Sequence, residues 1–175
     1  MKGLSILVAG LTILAVGCGS KTPTTPSTTN PTEVKFTAAL LPSNEVPAIS
    51  NAENTGRGTG TLTLHLTRDA AGAITAATAD LGVDVTGFPP GTPINIMHIH
   101  NAAAGTNGGI VINSGLAAGE IVLVNGSQSG IIKSGITGVT PTLAQDIITN
   151  PANYYYNIHT TINPGGVARG QLVKQ

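Results

Sequence analysis

The residues of this chain best suited to chemistry are histidines, and three of the four fall in two strand-like stretches. His98 and His100 lie in Ile94-Asn95-Ile96-Met97-His98-Ile99-His100, and His159 lies in Tyr156-Asn157-Ile158-His159-Thr160. Side chains alternate along a strand, so His98 and His100 share one face about 6.5 to 7 Å apart. Asn157 and His159 share a face in the same way. Neutral imidazoles set together in apolar or aromatic strands either ligate a metal or hydrogen-bond one another's surroundings. The structural alternative is specific: the pair bonds backbone carbonyls or the amides of Asn95 or Asn157, and Arg169 caps a sheet or pairs with a carboxylate such as Glu45. Distance separates the two. Metal ligation requires the three imidazole nitrogens to come within about 3 to 4 Å of one another, because the bonds are near 2 Å.

No other catalytic constellation accompanies these histidines. The carboxylates Asp80, Asp84, Glu120 and Asp146 are scattered, without a pairing suited to acid–base work. His159-Thr160-Thr161 sets a base beside hydroxyls, but neighbours on a strand face opposite ways. His65 alternates onto the polar face of a leucine strand and is expected to be solvated. Gly105–Gly109 and Gly115–Gly119 lack the spacing of a phosphate cradle and read as turns. The reading therefore leans away from an enzyme. Eight basic and eight acidic residues leave no net charge and no basic patch, which argues against nucleic acid.

The elements that must position the histidines are short strands. With 23 glycines and 11 prolines, abundant Thr and Val, and one helical stretch, the pattern predicts an all-β fold. Strands are expected at Val34–Leu41, Gly58–Leu66, Ile74–Val85, Ile94–His100, Ile110–Ile112, Glu120–Val124, Gly130–Lys133, Tyr154–Thr160 and Val167–Val173. Thr140-Pro141, followed by apolar residues at 143, 144, 147 and 148, predicts a short helix stopped by Asn150-Pro151. The count fits a Greek-key β-sandwich or flattened barrel of the immunoglobulin or superoxide-dismutase kind.

Ahead of this domain stands a different composition. Met1-Lys2, the apolar Leu4–Val16 and the small residues Ala15-Val16-Gly17 before Cys18 have the form of a signal peptide over residues 1–17. Ala-Val-Gly-Cys resembles a bacterial lipobox, which implies lipidation of Cys18, export, and attachment to a bacterial membrane or cell surface through that lipid. Cys18 is the only cysteine, so the folded part has no disulfide. Residues 18–32, with their Pro/Thr/Ser run, predict a semi-extended tether, and residues 33–175 one domain.

His98-Ile99-His100, Tyr155-Tyr156-Asn157-Ile158-His159-Thr160, Gly165-Gly166-Val167-Ala168-Arg169-Gly170-Gln171-Leu172 and the early Leu41-Pro42-Ser43-Asn44-Glu45-Val46-Pro47 together resemble the CHRD domain, named for its repeats in chordin. The resemblance covers Val34 to Lys174 and implies an all-β extracytoplasmic module that acts by binding or as structure, with an unknown protein or glycan ligand. A second similarity, to Cu/Zn superoxide dismutases, concerns the order His-x-His, a later strand histidine, and a glycine-rich turn followed by arginine. It implies His98, His100 and His159 as copper or zinc ligands and Arg169 as an anion-guiding residue, with Asn157 and Arg169 in supporting contact. No histidine lies between His100 and His159, so the bridging and zinc-loop ligands have no counterpart, and the disulfide cysteines are missing.

Overall fold

The computed structural model describes residues 30–175. The predicted leader and Cys18 lie outside the described residues, as does most of the tether. The carbonyls of Pro31 and Thr32 already accept bonds from Arg68 Nε and the Leu66 amide, so the chain meets the fold there.

Two antiparallel sheets form a sandwich. The first runs β10-β1-β2-β3-β7, where β1 is Glu33–Leu40, β2 Arg57–Arg68, β3 Ile74–Thr86, β7 Gln128–Ile136 and β10 Val173–Lys174. The second runs β5-β4-β8-β9, where β4 is Thr92–Asn101, β5 Gly109–Asn113, β8 Tyr154–Thr160 and β9 Ala168–Gln171; β6, Ile121–Leu123, pairs the start of β4. The sheets do not close into a barrel, so the sandwich is the observed form of the two expected. Their edges touch through one bridge, Leu41 to Arg169.

The core follows from the period of two. Phe36, Ala38 and Leu40 on β1 and Leu62, Leu64 and Leu66 on β2 alternate inward against Met97, Ile99, Tyr156 and Ile158 of the second sheet. Tyr156 reaches so far across that a Cβ at Gly60 would stand 2.7 Å from its ring, which is why the facing strand has a glycine there. Its hydroxyl meets Met97 Sδ at 3.4 Å.

The helix α1, Pro141–Thr149, has Thr140 at its N-cap accepting from the Leu143 amide and buries Ala144 and Ile147. One expected strand divides. Val167–Val173 is not continuous, because the Leu172 amide bonds the Tyr154 carbonyl while Val173 and Lys174 leave the second sheet and pair Thr37 and Phe36 of the first.

Candidate metal centre

Inward-facing residues of β4 and β8 belong to the core, so the alternate set points to the outer face of the second sheet. Across β4 and β8, His98 pairs Asn157, His100 pairs Tyr155 and Ile96 pairs His159; across β8 and β9, Asn157 pairs Arg169. Opposed residues of an antiparallel pair lie on one side. His98, His100, His159, Asn157, Tyr155 and Arg169 therefore form one patch. An outer sheet face is ordinarily wet, yet every residue of β8 is buried. Three connections cover it: 42–47, 101–108 and 161–166, the first two tied by Asn107 Nδ2 donating to the Val46 carbonyl.

The three histidines meet beneath this cover. One ring nitrogen from each of His98, His100 and His159 lies within 4.8 Å of the others, wider than the 3 to 4 Å of a closed ligand set. Ring centroids are 5.4 Å apart for His98 and His100, 5.0 Å for His98 and His159, and 6.3 Å for His100 and His159. The residues are 4, 8 and 6% exposed.

Backbone carbonyls fix two tautomers. His100 Nδ1 donates to the Gly108 carbonyl at 3.0 Å, and His159 Nδ1 donates to the Pro164 carbonyl at 3.0 Å. A carbonyl only accepts, so each Nδ1 carries the proton and each Nε2 is left with its lone pair. Both of those Nε2 atoms, and His98 Nδ1, are buried without a hydrogen-bond partner among the described residues. An orphaned buried polar atom costs about 1 to 3 kcal/mol, and here three of them gather. Burial holds all three imidazoles neutral: it drives the His98 value down to about 4, with help from the neighbouring His159 and His100, and lowers His100 and His159 despite their carbonyl bonds. Neutral imidazoles with a free lone pair, two of them oriented by a carbonyl at the opposite nitrogen, are the form in which histidine binds a transition metal.

Of the two places read for Arg169, it takes the one beside a carboxylate. It is 3% exposed, its Nε lies 3.0 Å from Glu45 Oε2, and Nη1 and Nη2 donate to the Thr106 carbonyl and Asn107 Oδ1 at 3.0 and 2.8 Å. A guanidinium so engaged does not guide anions from solvent; it locks the covering connections to β9. The pairing with Glu45 matches the structural alternative read from the sequence. Burial pushes the Glu45 carboxyl up to about 7 against the pull of Arg169. His65 is half-exposed and sits 3.0 Å from Asp80 Oδ2, far from the patch in the sheet order, as expected of a surface histidine.

The sequence reading missed two features. Tyr155 stacks on His100; the run of three tyrosines signalled a ring on each face of β8, and this is the outer one. Glu53, fully buried, accepts from Thr160 Oγ1 at 2.6 Å and from Asn163 Nδ2. Nothing in its neighbourhood of Asn and Gly residues marked it beforehand.

Among the described residues, no helix is long and apolar enough to cross a membrane. The family model of the CHRD domain matches residues 36–172. No curated protein and no solved structure is significantly similar to the chain.

Proposed function

The chain belongs to the CHRD-domain family, and from that footing we propose that it is a binding module whose ligand at this site is a copper or zinc ion held by His98, His100 and His159. The single observation that carries the reading is the approach of the three buried histidines, one ring nitrogen of each within 4.8 Å of the others, where each histidine also has a buried, unpartnered nitrogen. A structural network would satisfy those atoms with protein donors; this one satisfies the Nδ1 atoms of His100 and His159 and leaves their Nε2 atoms bare. Three neutral imidazoles suit either metal, and copper(II) binds the tighter on the general order of affinities. Closing from 4.8 Å to the roughly 3.3 Å of tetrahedral ligands needs shifts of about 1 Å, within the reach of side-chain rotation.

The module is displayed outside the cytoplasm: residues 1–17 direct export, Cys18 carries lipid, and residues 18–32 hold the domain away from the membrane or cell surface. The lipobox and the Pro/Thr/Ser composition support this part of the proposal. A protein or glycan partner remains compatible with the metal, since the covering connections present separate surface.

The test is metal content by mass spectrometry and titration of the full chain with copper(II) and zinc(II), beside His98→Ala/His100→Ala. One equivalent bound at submicromolar affinity, and lost in a folded double variant, is the expected result. A folded wild-type protein that binds neither ion contradicts the reading.

A further inference from the structure

Three imidazoles leave a coordination position, and Asn157 indicates what fills it. Asn157 is the register partner of His98 and lies two residues before His159 on the same face. Its Oδ1 is buried with no partner among the described residues.

The orientation of that amide is set from the other side. A Cβ at Gly166 would stand 2.6 Å from Asn157 Nδ2 and 2.9 and 3.0 Å from the two Glu45 carboxylate oxygens. The NH2 end thus lies on the same side as the carboxylate. Gly166 is on the β9 side of β8, because the next amide, Val167, bonds the Ile158 carbonyl. Reversing the amide would set two acceptors together at Glu45, so Oδ1 belongs to the opposite, β4 side, where His98 is.

We propose that a water molecule is the fourth ligand of the metal and that Asn157 Oδ1 accepts a hydrogen bond from it. The inference rests on the metal-site reading above. A bound water has two O–H donors and satisfies an orphaned acceptor; azide, chloride and superoxide carry no proton and would face the Oδ1 lone pairs. The histidines are nearly sealed from solvent, which suits a ligand as small as water. The site is accordingly a metal-bound water site that disfavours small anions, with Asn157 as the residue that discriminates.

The experiment uses the full chain loaded with one equivalent of copper(II). Electron paramagnetic resonance in 17O-enriched water reads a coordinated water through line broadening, and azide titration reads its replacement. Wild type is expected to broaden. Asn157→Leu, with the nitrogen hyperfine pattern unchanged, is expected to bind azide about fivefold to tenfold more tightly, the loss of one hydrogen bond to the competing water; Asn157→Thr, which keeps an acceptor, falls between. Copper that binds with imidazole hyperfine but without 17O broadening overturns this inference and leaves the metal reading standing. Equal azide affinity in wild type and folded Asn157→Leu overturns the role of Asn157. Failure of the folded chain to bind either copper(II) or zinc(II) one-to-one overturns both readings. Should the leucine variant not fold, the wild-type broadening decides.

Discussion

Tyr155 lies flat against His100, with ring centroids 4.7 Å apart and planes 4° from parallel. Arg169 Cζ is 4.8 Å from the centroid of the same tyrosine. The His100 imidazole is thereby held between a carbonyl at its Nδ1 and an aromatic face, and the buried guanidinium is coupled to it through one ring.

Removing that ring tests its role. Tyr155→Ala is expected to destabilise the protein by about 3 to 5 kcal/mol, the range for deleting a buried aromatic side chain. Tyr155→Phe keeps the stack and gives up only a 3.4 Å contact from the Gly108 amide, so its cost should stay below about 1 kcal/mol. Urea unfolding of both variants checks the difference.

The Arg169–Glu45 pair should behave as a buried ion pair. Arg169→Met strands the Glu45 carboxyl and is expected to cost about 3 to 5 kcal/mol, whereas Arg169→Met/Glu45→Met removes both charges and should recover much of that loss. A double-mutant cycle with no coupling energy would contradict the pairing.

Acid should weaken the metal-free protein. The three imidazoles titrate lower in the folded state than in the unfolded chain, so stability is complete above the unfolded value of 6.5 and is lost as pH falls from there, toward about 4 for His98. The His98 contribution is on the order of 3 kcal/mol. Glu45 acts oppositely: its raised carboxyl favours folding below 4.5, and that contribution is lost as pH rises through about 7. Three histidines outweigh one carboxyl, so the net slope between pH 6.5 and 4 should be loss of stability. Denaturant midpoints against pH, in wild type and His98→Leu, measure it; an equally steep acid limb in the variant would contradict the assignment.

How far the sequence could be read depended on whether a feature was local. Alternation placed β2, β8 and the shared face of His98 and His100, and Thr140-Pro141 placed the helix, because each is set by near neighbours. Glu45 stood among the carboxylates that could pair with Arg169, on charge alone. The Gly108 and Pro164 carbonyls were not legible: they are backbone groups, carry no residue code, and reach His100 and His159 through loop geometry. The crossing of β10 into the first sheet was hidden as well, since Leu172 and Val173 follow β9 with no turn residue between and only the pairing with Thr37 distinguishes them. Burial of an outer sheet face likewise depends on three connections meeting, which no single stretch encodes.

Packing between the sheets offers a separate check. Gly60→Val places its Cβ 2.7 Å from the Tyr156 ring and is expected to cost about 1 to 3 kcal/mol by overpacking, while Gly91→Ala, with nothing within 4 Å of the added atom but φ of 82°, should lose only the backbone term. Thermal unfolding of the two variants compares them.

Export and lipid attachment are tested at Cys18. Cys18→Ser should abolish incorporation of labelled fatty acid and release the domain from the membrane fraction; a labelled serine variant would contradict the lipobox reading.

The most direct measurement of the central claim is X-ray absorption fine structure at the metal edge of the copper- or zinc-loaded full chain. The account predicts three imidazole nitrogens at about 2.0 to 2.1 Å, and no such bound metal in folded His98→Ala/His100→Ala. A spectrum without imidazole scattering, or one unchanged in that variant, would mean that His98, His100 and His159 do not hold the ion.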